Sequence, residues 1–422
     1  MKTFLNFCTG LFLTTSLLLI NTSCEKLNGV DPLPLAPPPT GTNPPVPNGP
    51  GDFKIIKFDP MMMKTKIDAF LNARNLSGYA YTIFVDGQRV ANAEGRGGLA
   101  RKSIDSPQRE HHPMVRQEIA SCSKYITTLA MVQMLDRADL SLDTDIGAYL
   151  PAYMNAIASV RTISFRQLLS HYSGLVGGVS DTNITLAEMQ QSVRTNNTAG
   201  FDSYQYNNMN FALCRLLLSY VYWIEVLNMS PQTIAQMETN PTNLDTGMAN
   251  IFLSFVRNDV FKPAGLSAWG ALGATDPGTN SPTLYYSNNL GGVAGINPSS
   301  LTTIVNLGSA GFDLNAVELT QITSAANDYK IVSEPMMKAI RTGYKGRPLG
   351  FNDSQTGKYG EYYYKYGGIT PNANGLTGGL NTMLVDFDCP TARVQVAVMA
   401  NQADNGVSNI NWIQAAFDQS WK

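Results

Sequence analysis

Gln117-Glu118-Ile119-Ala120-Ser121-Cys122-Ser123-Lys124 is the stretch on which the reading of this chain turns. It runs straight into Tyr125-Ile126-Thr127-Thr128-Leu129-Ala130-Met131-Val132-Gln133-Met134-Leu135, whose apolar spacing predicts a helix starting at Ser121. Lys124 then lies one turn on, and helical side chains lean toward the N-terminus, so its amine reaches back to the serine. A serine hydroxyl is a weak nucleophile until a base takes its proton, and a partly desolvated lysine can do that. The helix N-terminus adds partial positive charge and free N–H groups where an oxyanion would form. Alone, the tetrapeptide fits a solvated helix start capped by serine better than a catalytic pair.

Two later motifs change that balance. Tyr206-Asn207-Asn208 stands in Phe201-Asp202-Ser203-Tyr204-Gln205-Tyr206-Asn207-Asn208-Met209-Asn210-Phe211, a loop leading into a helix. A phenol at Tyr206 can relay a proton, and an amide at Asn208 can bind a substrate carbonyl. By itself it also reads as a polar, Asn-rich helix start. Lys365-Tyr366-Gly367-Gly368 ends the aromatic run Tyr362-Tyr363-Tyr364, which reads as a strand. Its glycines let a substrate lie against the backbone, although an ordinary Gly-Gly turn has the same letters.

In that order, S-x-x-K, Y-x-N and K-x-G resemble the motif set of the serine β-lactamase and penicillin-binding-protein superfamily. Within it the resemblance is to class C β-lactamases, D-alanyl-D-alanine carboxypeptidases and related esterases. Leu168-Leu169-Ser170-His171-Tyr172-Ser173-Gly174-Leu175 is similar to that branch's LLSHTSGL segment, and Val260-Phe261-Lys262-Pro263-Ala264-Gly265-Leu266 to its F-x-P-L-G-M segment. The resemblance runs from Met61 to the C-terminus. It implies an α+β, β-lactamase-like fold, an antiparallel sheet flanked by helices with a helical subdomain, and an active site between sheet and subdomain. It also implies roles: Ser121 as nucleophile, Lys124 as its base, Tyr206 as proton relay, Asn208 and Lys365 on the substrate. Gly367 and Gly368 line the substrate, and the N–H groups of Ser121 and Gly368 form the oxyanion hole. No metal or other cofactor is implied.

One position departs from the pattern. Where the family often has Thr or Ser in K-T-G, this chain has the bulky Tyr366, which takes its hydroxyl elsewhere. A register with Tyr366-x-Gly368 aligned to the family's H-x-G stays open. Either register weakens the case for β-lactam or D-Ala-D-Ala specificity and strengthens that for an esterase or another peptidase. The competing class is a non-catalytic binding lipoprotein that keeps the fold without turnover.

The rest of the chain sets the context. Lys2, the apolar run Phe4 to Ile20 and Ser23 read as a signal peptide over residues 1–23. Cys24 resembles the lipidated cysteine of a bacterial lipobox, with Asn21 in place of the usual apolar residue; an ordinary secretory signal is the alternative. Residues 24–52 are proline-rich and read as an extended tether. Residues 53–422 are then one hydrolase domain, held in the cell envelope through lipid on Cys24 at the periplasmic or outer-membrane face. A net charge of −2 without a basic cluster argues against nucleic acid as a partner. Cys122, Cys214 and Cys389 show neither a disulfide framework nor a zinc spacing. His111 and His112 read as solvated loop residues and His171 as a structural hydrogen-bonding residue. The chain has no G-x-S-x-G elbow and no histidine near its C-terminus, which argues against a Ser-His-Asp hydrolase.

Coarsely, Pro60 to Arg74 reads as an amphipathic helix, and Tyr79 to Val85 with Gln88 to Ala93 as a hairpin around Asp86-Gly87. Ser121 to Arg341 reads as mainly helical. Strands are expected at Glu361 to Gly368, Leu380 to Phe387 and Arg393 to Asn401, and a last helix at Asn411 to Trp421.

Overall fold

Leu380–Cys389 and Ala392–Ala400 are rich in apolar and β-branched residues on both alternating faces, the pattern of strands covered on two sides. The computed structural model bears this out. It describes residues 57–177, 184–195, 200–266, 281–287, 292–297, 306–373, 376–404 and 406–422. The expected signal peptide and tether, residues 1–23 and 24–52, lie outside them. Residues 57–58 and 421–422 group as a small unit, in which the Phe58 and Trp421 rings meet edge-on at 5.4 Å. Everything below concerns Asp59–Ser420.

Helix α1 (Pro60–Asn72) starts at Asp59, whose carboxylate accepts from the Met61 and Met62 N–H groups. Strands β1 (Gly78–Val85), β2 (Gln88–Arg89), β3 (Gly95–Arg101) and β4 (Arg109–Glu110) follow, then β5 (Gln117–Glu118) and the long helix α2 (Ser123–Arg137). The helical region carries α3 (Phe165–Leu169), α4 (Met209–Val221) and α5 (Pro241–Phe255), the last two each ending in a π-helical turn. The chain returns through β6 (Asp313–Leu314), α6 (Ala316–Asn327), α7 (Glu334–Thr342), β7 (Asp353–Thr356), β8 (Glu361–Ile369), β9 (Leu380–Cys389), β10 (Ala392–Ala400) and α8 (Ile410–Asp418).

The main sheet runs β4-β3-β1-β10-β9-β8-β7, with β2 paired to β1, and every pairing is antiparallel. β5 and β6 pair separately, joining the two chain segments that flank the helical region. Alternation sorts the side chains of β8 and β9 between two helical layers. Phe387 stacks on Phe417 of α8 at 4.0 Å, and Tyr362 bonds Gln414 of the same helix. On the opposite face Asp386 meets Asn327 of α6 and Arg341 of α7.

Four details differ from the sequence reading. The Asp86-Gly87 turn forms, but its second arm stops at Arg89, and the chain rejoins β1 only at Gly95–Arg101. β3 was not expected because three of its seven residues are glycine, poor strand formers; Gly95 and Gly97 leave room for the rings of Tyr81 and Tyr79. β7, with the polar sequence Asp-Ser-Gln-Thr, lacks an apolar signal and forms by pairing with β8. His111 is not solvated. Its N–H bonds the Gly98 carbonyl, its ring is buried with Nε2 3.3 Å from Gln117 Oε1, and burial holds it down to about 4. Cys122, Cys214 and Cys389 are free and buried.

Candidate active site

Residues Ala120–Cys122 form one 3₁₀ turn ahead of α2, so Ser121 projects from the turn and Lys124 follows in the first helical turn. Ala120 sits at φ +48°, a left-handed conformation that non-glycine residues adopt at a cost. Cys122 points into the protein, where burial pushes its thiol up to about 12; it packs and does not compete as a nucleophile.

Lys124 is fully buried. Its Nζ donates to Ser121 Oγ at 2.9 Å and to the Ser309 carbonyl at 2.8 Å. The second acceptor comes from the turn Asn306–Gly311, unremarked in the sequence reading. Gly308 and Gly311 hold φ +93° and +94° there, and a Cβ on Gly308 would meet the Phe211 carbonyl at 2.2 Å. The Gly308-Ser309-Ala310-Gly311 spacing was the available signal. Thr127 Oγ1 donates to the Gly308 carbonyl at 2.7 Å, and the Gly311 N–H donates to Glu118 Oε1 at 3.2 Å. Glu118 stands opposite Asp313 in the β5–β6 ladder, and both are buried. Burial, then the Glu118 charge, pushes the Asp313 carboxyl well up, so it favours its neutral form.

Tyr206 arrives from the loop before α4, and its hydroxyl donates to Ser121 Oγ at 2.7 Å. Asn208, two residues on, is the N-cap residue of α4. Lys365 reaches the same ring from β8. Its Nζ lies 5.2 Å from the Tyr206 ring centroid, and Lys124 Nζ lies 5.1 Å from it. Lys365 is completely buried and its Nζ has no hydrogen-bond partner; burial brings its ammonium down to about 8. Ser121, Lys124, Tyr206 and Lys365 thus converge from three separate parts of the chain.

Strand parity separates Lys365 from Tyr366. Lys365 and Gly367 face the turn that carries Ser121, and a Cβ on Gly367 would stand 2.2 Å from the Ile119 carbonyl. Only glycine allows that approach. Tyr366 faces α8, where its hydroxyl accepts the Ile410 N–H at 2.5 Å. Lys365 is therefore the residue of this strand that meets Tyr206. Backbone groups alternate as well. Tyr364 and Tyr366 bond Asn352 across the β7 edge, so the Gly368 N–H points to that same edge, beyond the last paired residue of β7. Gly368 itself is exposed. Among the described residues, no cluster of three or more metal-binding side chains occurs.

A family model described as Beta-lactamase matches residues 63–419. Penicillin-binding protein 4 of Amycolatopsis lactamdurans is 34% identical over 124 residues, 28% of this chain and 30% of that protein. The chain thus matches about a third of that relative's length. Among solved structures, SurE aligns with a TM-score of 0.61 at 16% identity, covering 86% of this chain and 76% of that one. FmtA from Staphylococcus aureus aligns with a TM-score of 0.59 at 15% identity, over 84% and 87%. At these identities the two structures speak for the fold.

The Tyr366 geometry has a direct test. Tyr366→Phe removes the oxygen that caps α8 and keeps the ring. It should cost about 1 kcal/mol of stability, the net worth of one hydrogen bond, in a denaturant melt. The rate of fluorophosphonate labelling should stay within about twofold of the parent, as expected for a change on the face of β8 turned away from Ser121. A large loss of labelling in a well-folded variant would put Tyr366 in the site after all.

Proposed function

We propose a function from one established premise: the chain belongs to the beta-lactamase family. Its fold is that of the serine hydrolases of the β-lactamase and penicillin-binding-protein superfamily. We read it as a cell-envelope serine hydrolase that cleaves an amide or ester through an acyl-enzyme, of the D-alanyl-D-alanine carboxypeptidase or esterase type. The observation that carries this reading is the shared contact on Ser121 Oγ, with Lys124 Nζ at 2.9 Å and the Tyr206 hydroxyl at 2.7 Å.

In this proposal Lys124, as the neutral amine, takes the Ser121 proton while Oγ attacks the substrate carbonyl carbon. The carbonyl π electrons move to oxygen, and the N–H groups of Ser121 and Gly368 bind that oxyanion. Collapse re-forms the carbonyl and breaks the bond to the leaving group, which receives a proton through Tyr206. A water molecule then passes a proton through Tyr206 to Lys124 as it attacks the acyl carbon, and collapse breaks the bond to Ser121 Oγ, which takes that proton back from Lys124 as the acid leaves. Asn208 orients the acyl side chain. Lys365, buried beside the Tyr206 ring, balances negative charge that passes through the phenol oxygen. The Tyr366 hydroxyl is occupied by α8 and offers nothing to a substrate carboxylate, which favours neutral acyl esters within this class.

A hydrolysis panel of nitrocefin, a D-Ala-D-Ala peptide and p-nitrophenyl esters tests the reading, with Ser121→Ala as the reference. Ser121→Ala should lose fluorophosphonate labelling and at least ~10³ of turnover, and Lys124→Ala nearly as much. The double variant should be no worse than either single one, because the two residues act as a unit. Substantial turnover in pure Ser121→Ala would remove the serine from the mechanism.

The lysine on β8 sets a pH limit. Lys365 keeps its charge only below about 8, so kcat/KM should fall above that pH. In Lys365→Met the remaining activity should lack that limb; a limb that persists there belongs to another group. Stability should move the other way. The folded pKa lies below the unfolded one, so burying the ammonium weakens the fold at neutral pH, and this burden is relieved as pH rises from about 8 toward 10.5.

The envelope location is part of the proposal. The apolar run Phe4 to Ile20, Cys24 and the proline-rich stretch after it support a lipid anchor on a tether. Cys24→Ser should move the protein from the membrane fraction to the soluble one with its ester kinetics unchanged. Membrane association that survives the change would rule out an anchor at Cys24.

A further inference from the structure

The segment Leu168 to Leu175 takes no part in the proton path, yet its histidine touches the Tyr206 loop on both sides of the phenol. The His171 carbonyl accepts the Gln205 N–H at 2.9 Å. Its ring lies against the Tyr206 ring, with centroids 4.4 Å apart. Its Nδ1 accepts the Asn207 N–H at 3.3 Å and stands 3.3 Å from Asn210 Nδ2. One residue therefore grips three consecutive residues, with Tyr206 in the middle. The backbone of His171 is left-handed, at φ +64°, which brings its carbonyl and its ring to the same loop.

As an acceptor from Asn207, Nδ1 carries no proton, so the imidazole is neutral with its hydrogen on Nε2. Nε2 is buried without a hydrogen-bond partner, an arrangement that weakens the fold. Burial, then Lys365 from β8, Lys124 from α2 and Arg347 from the turn after α7, keep the ring neutral. The other titratable groups against it are the phenols of Tyr204 and Tyr206. The acceptor is thus maintained first by burial and then by the same two lysines that lie close to the Tyr206 ring.

We propose that His171 is a positioning residue, which holds the Tyr206 hydroxyl against Ser121 by fixing the backbone on either side of it. This rests on the serine-hydrolase reading for its kinetic consequence, though not for the contacts themselves.

Two conservative variants of the full chain isolate the acceptor. Asparagine tolerates the left-handed backbone and places a side-chain oxygen close to the position of Nδ1. Glutamine carries its amide one carbon further and leaves the Asn207 N–H unmet; both lose the ring. Hydrogen exchange of residues 203–209, the thermal midpoint, and kcat and KM for a p-nitrophenyl ester are measured in each. His171→Gln should exchange faster in that segment and lose about tenfold in kcat with KM little changed, as for one lost hydrogen bond acting on the chemical step. His171→Asn should recover most of both. Equal behaviour of the two variants, whether both parental or both impaired, overturns the proposal. If the parent turns over no ester and takes no fluorophosphonate, the hydrolase reading fails. The exchange comparison then decides the role of His171 alone, with Gln less protected than Asn supporting it and no difference overturning it.

Discussion

Two lysine amines, Lys124 and Lys365, are buried against one tyrosine ring, and much of the structure can be understood as what makes that tolerable. An unpaired buried ammonium is strongly disfavoured. Lys124 is compensated by a serine oxygen and a peptide carbonyl in addition to the ring. Lys365 has the ring alone among contacts with known partners, and burial accordingly pulls its pKa down to about 8. Both Nζ atoms lie close to the centroid of that ring, at 5.1 and 5.2 Å, so its position matters to both. That requirement reaches the loop of residues 205–207, the histidine that grips it, and the Asn306–Gly311 turn that supplies the Ser309 carbonyl.

The supports come from elements that contribute no side chain to the cluster around Ser121. Glu118 takes the Gly311 N–H, and its neighbour Asp313 sits across the short β5–β6 ladder. That ladder closes the helical region at its base, so the turn beneath Lys124 and the turn bearing Ser121 share one anchor. β8 does two jobs by alternation. One side presents Lys365 and Gly367 to the turn that carries Ser121, while the other gives Tyr362 and Tyr366 to α8. A site built on a strand and a helix start inherits their rigidity, which suits chemistry that depends on contacts near 3 Å.

Local patterns were legible because their physics is local. The S-x-x-K spacing puts lysine and serine within reach through helix period alone. The apolar runs of β9 and β10 admit little but strands covered on both faces. β3 and β7 were not legible, since one is rich in glycine and the other is polar, and both exist because a neighbouring strand offers a ladder to pair with. His111 read as solvated because nothing in a polar loop says that it will fold back on Gly98. Tyr366 read as a departure that takes its hydroxyl elsewhere, but spacing along a strand does not say that the place is the start of α8.

By itself, the sequence determined a helix beginning within two residues of Ser121, the strands that form the centre of the sheet, the family, and the residues to examine. Tertiary structure alone decided that Tyr206 meets Ser121 across 85 positions, that Ser309 accepts from Lys124, and that Tyr366 turns to α8. The reason is one of range. Backbone periodicity correlates side chains within a turn or a strand, whereas contacts between distant segments, and the pKa changes that follow from burial, exist only once the sheet and helices have packed around them.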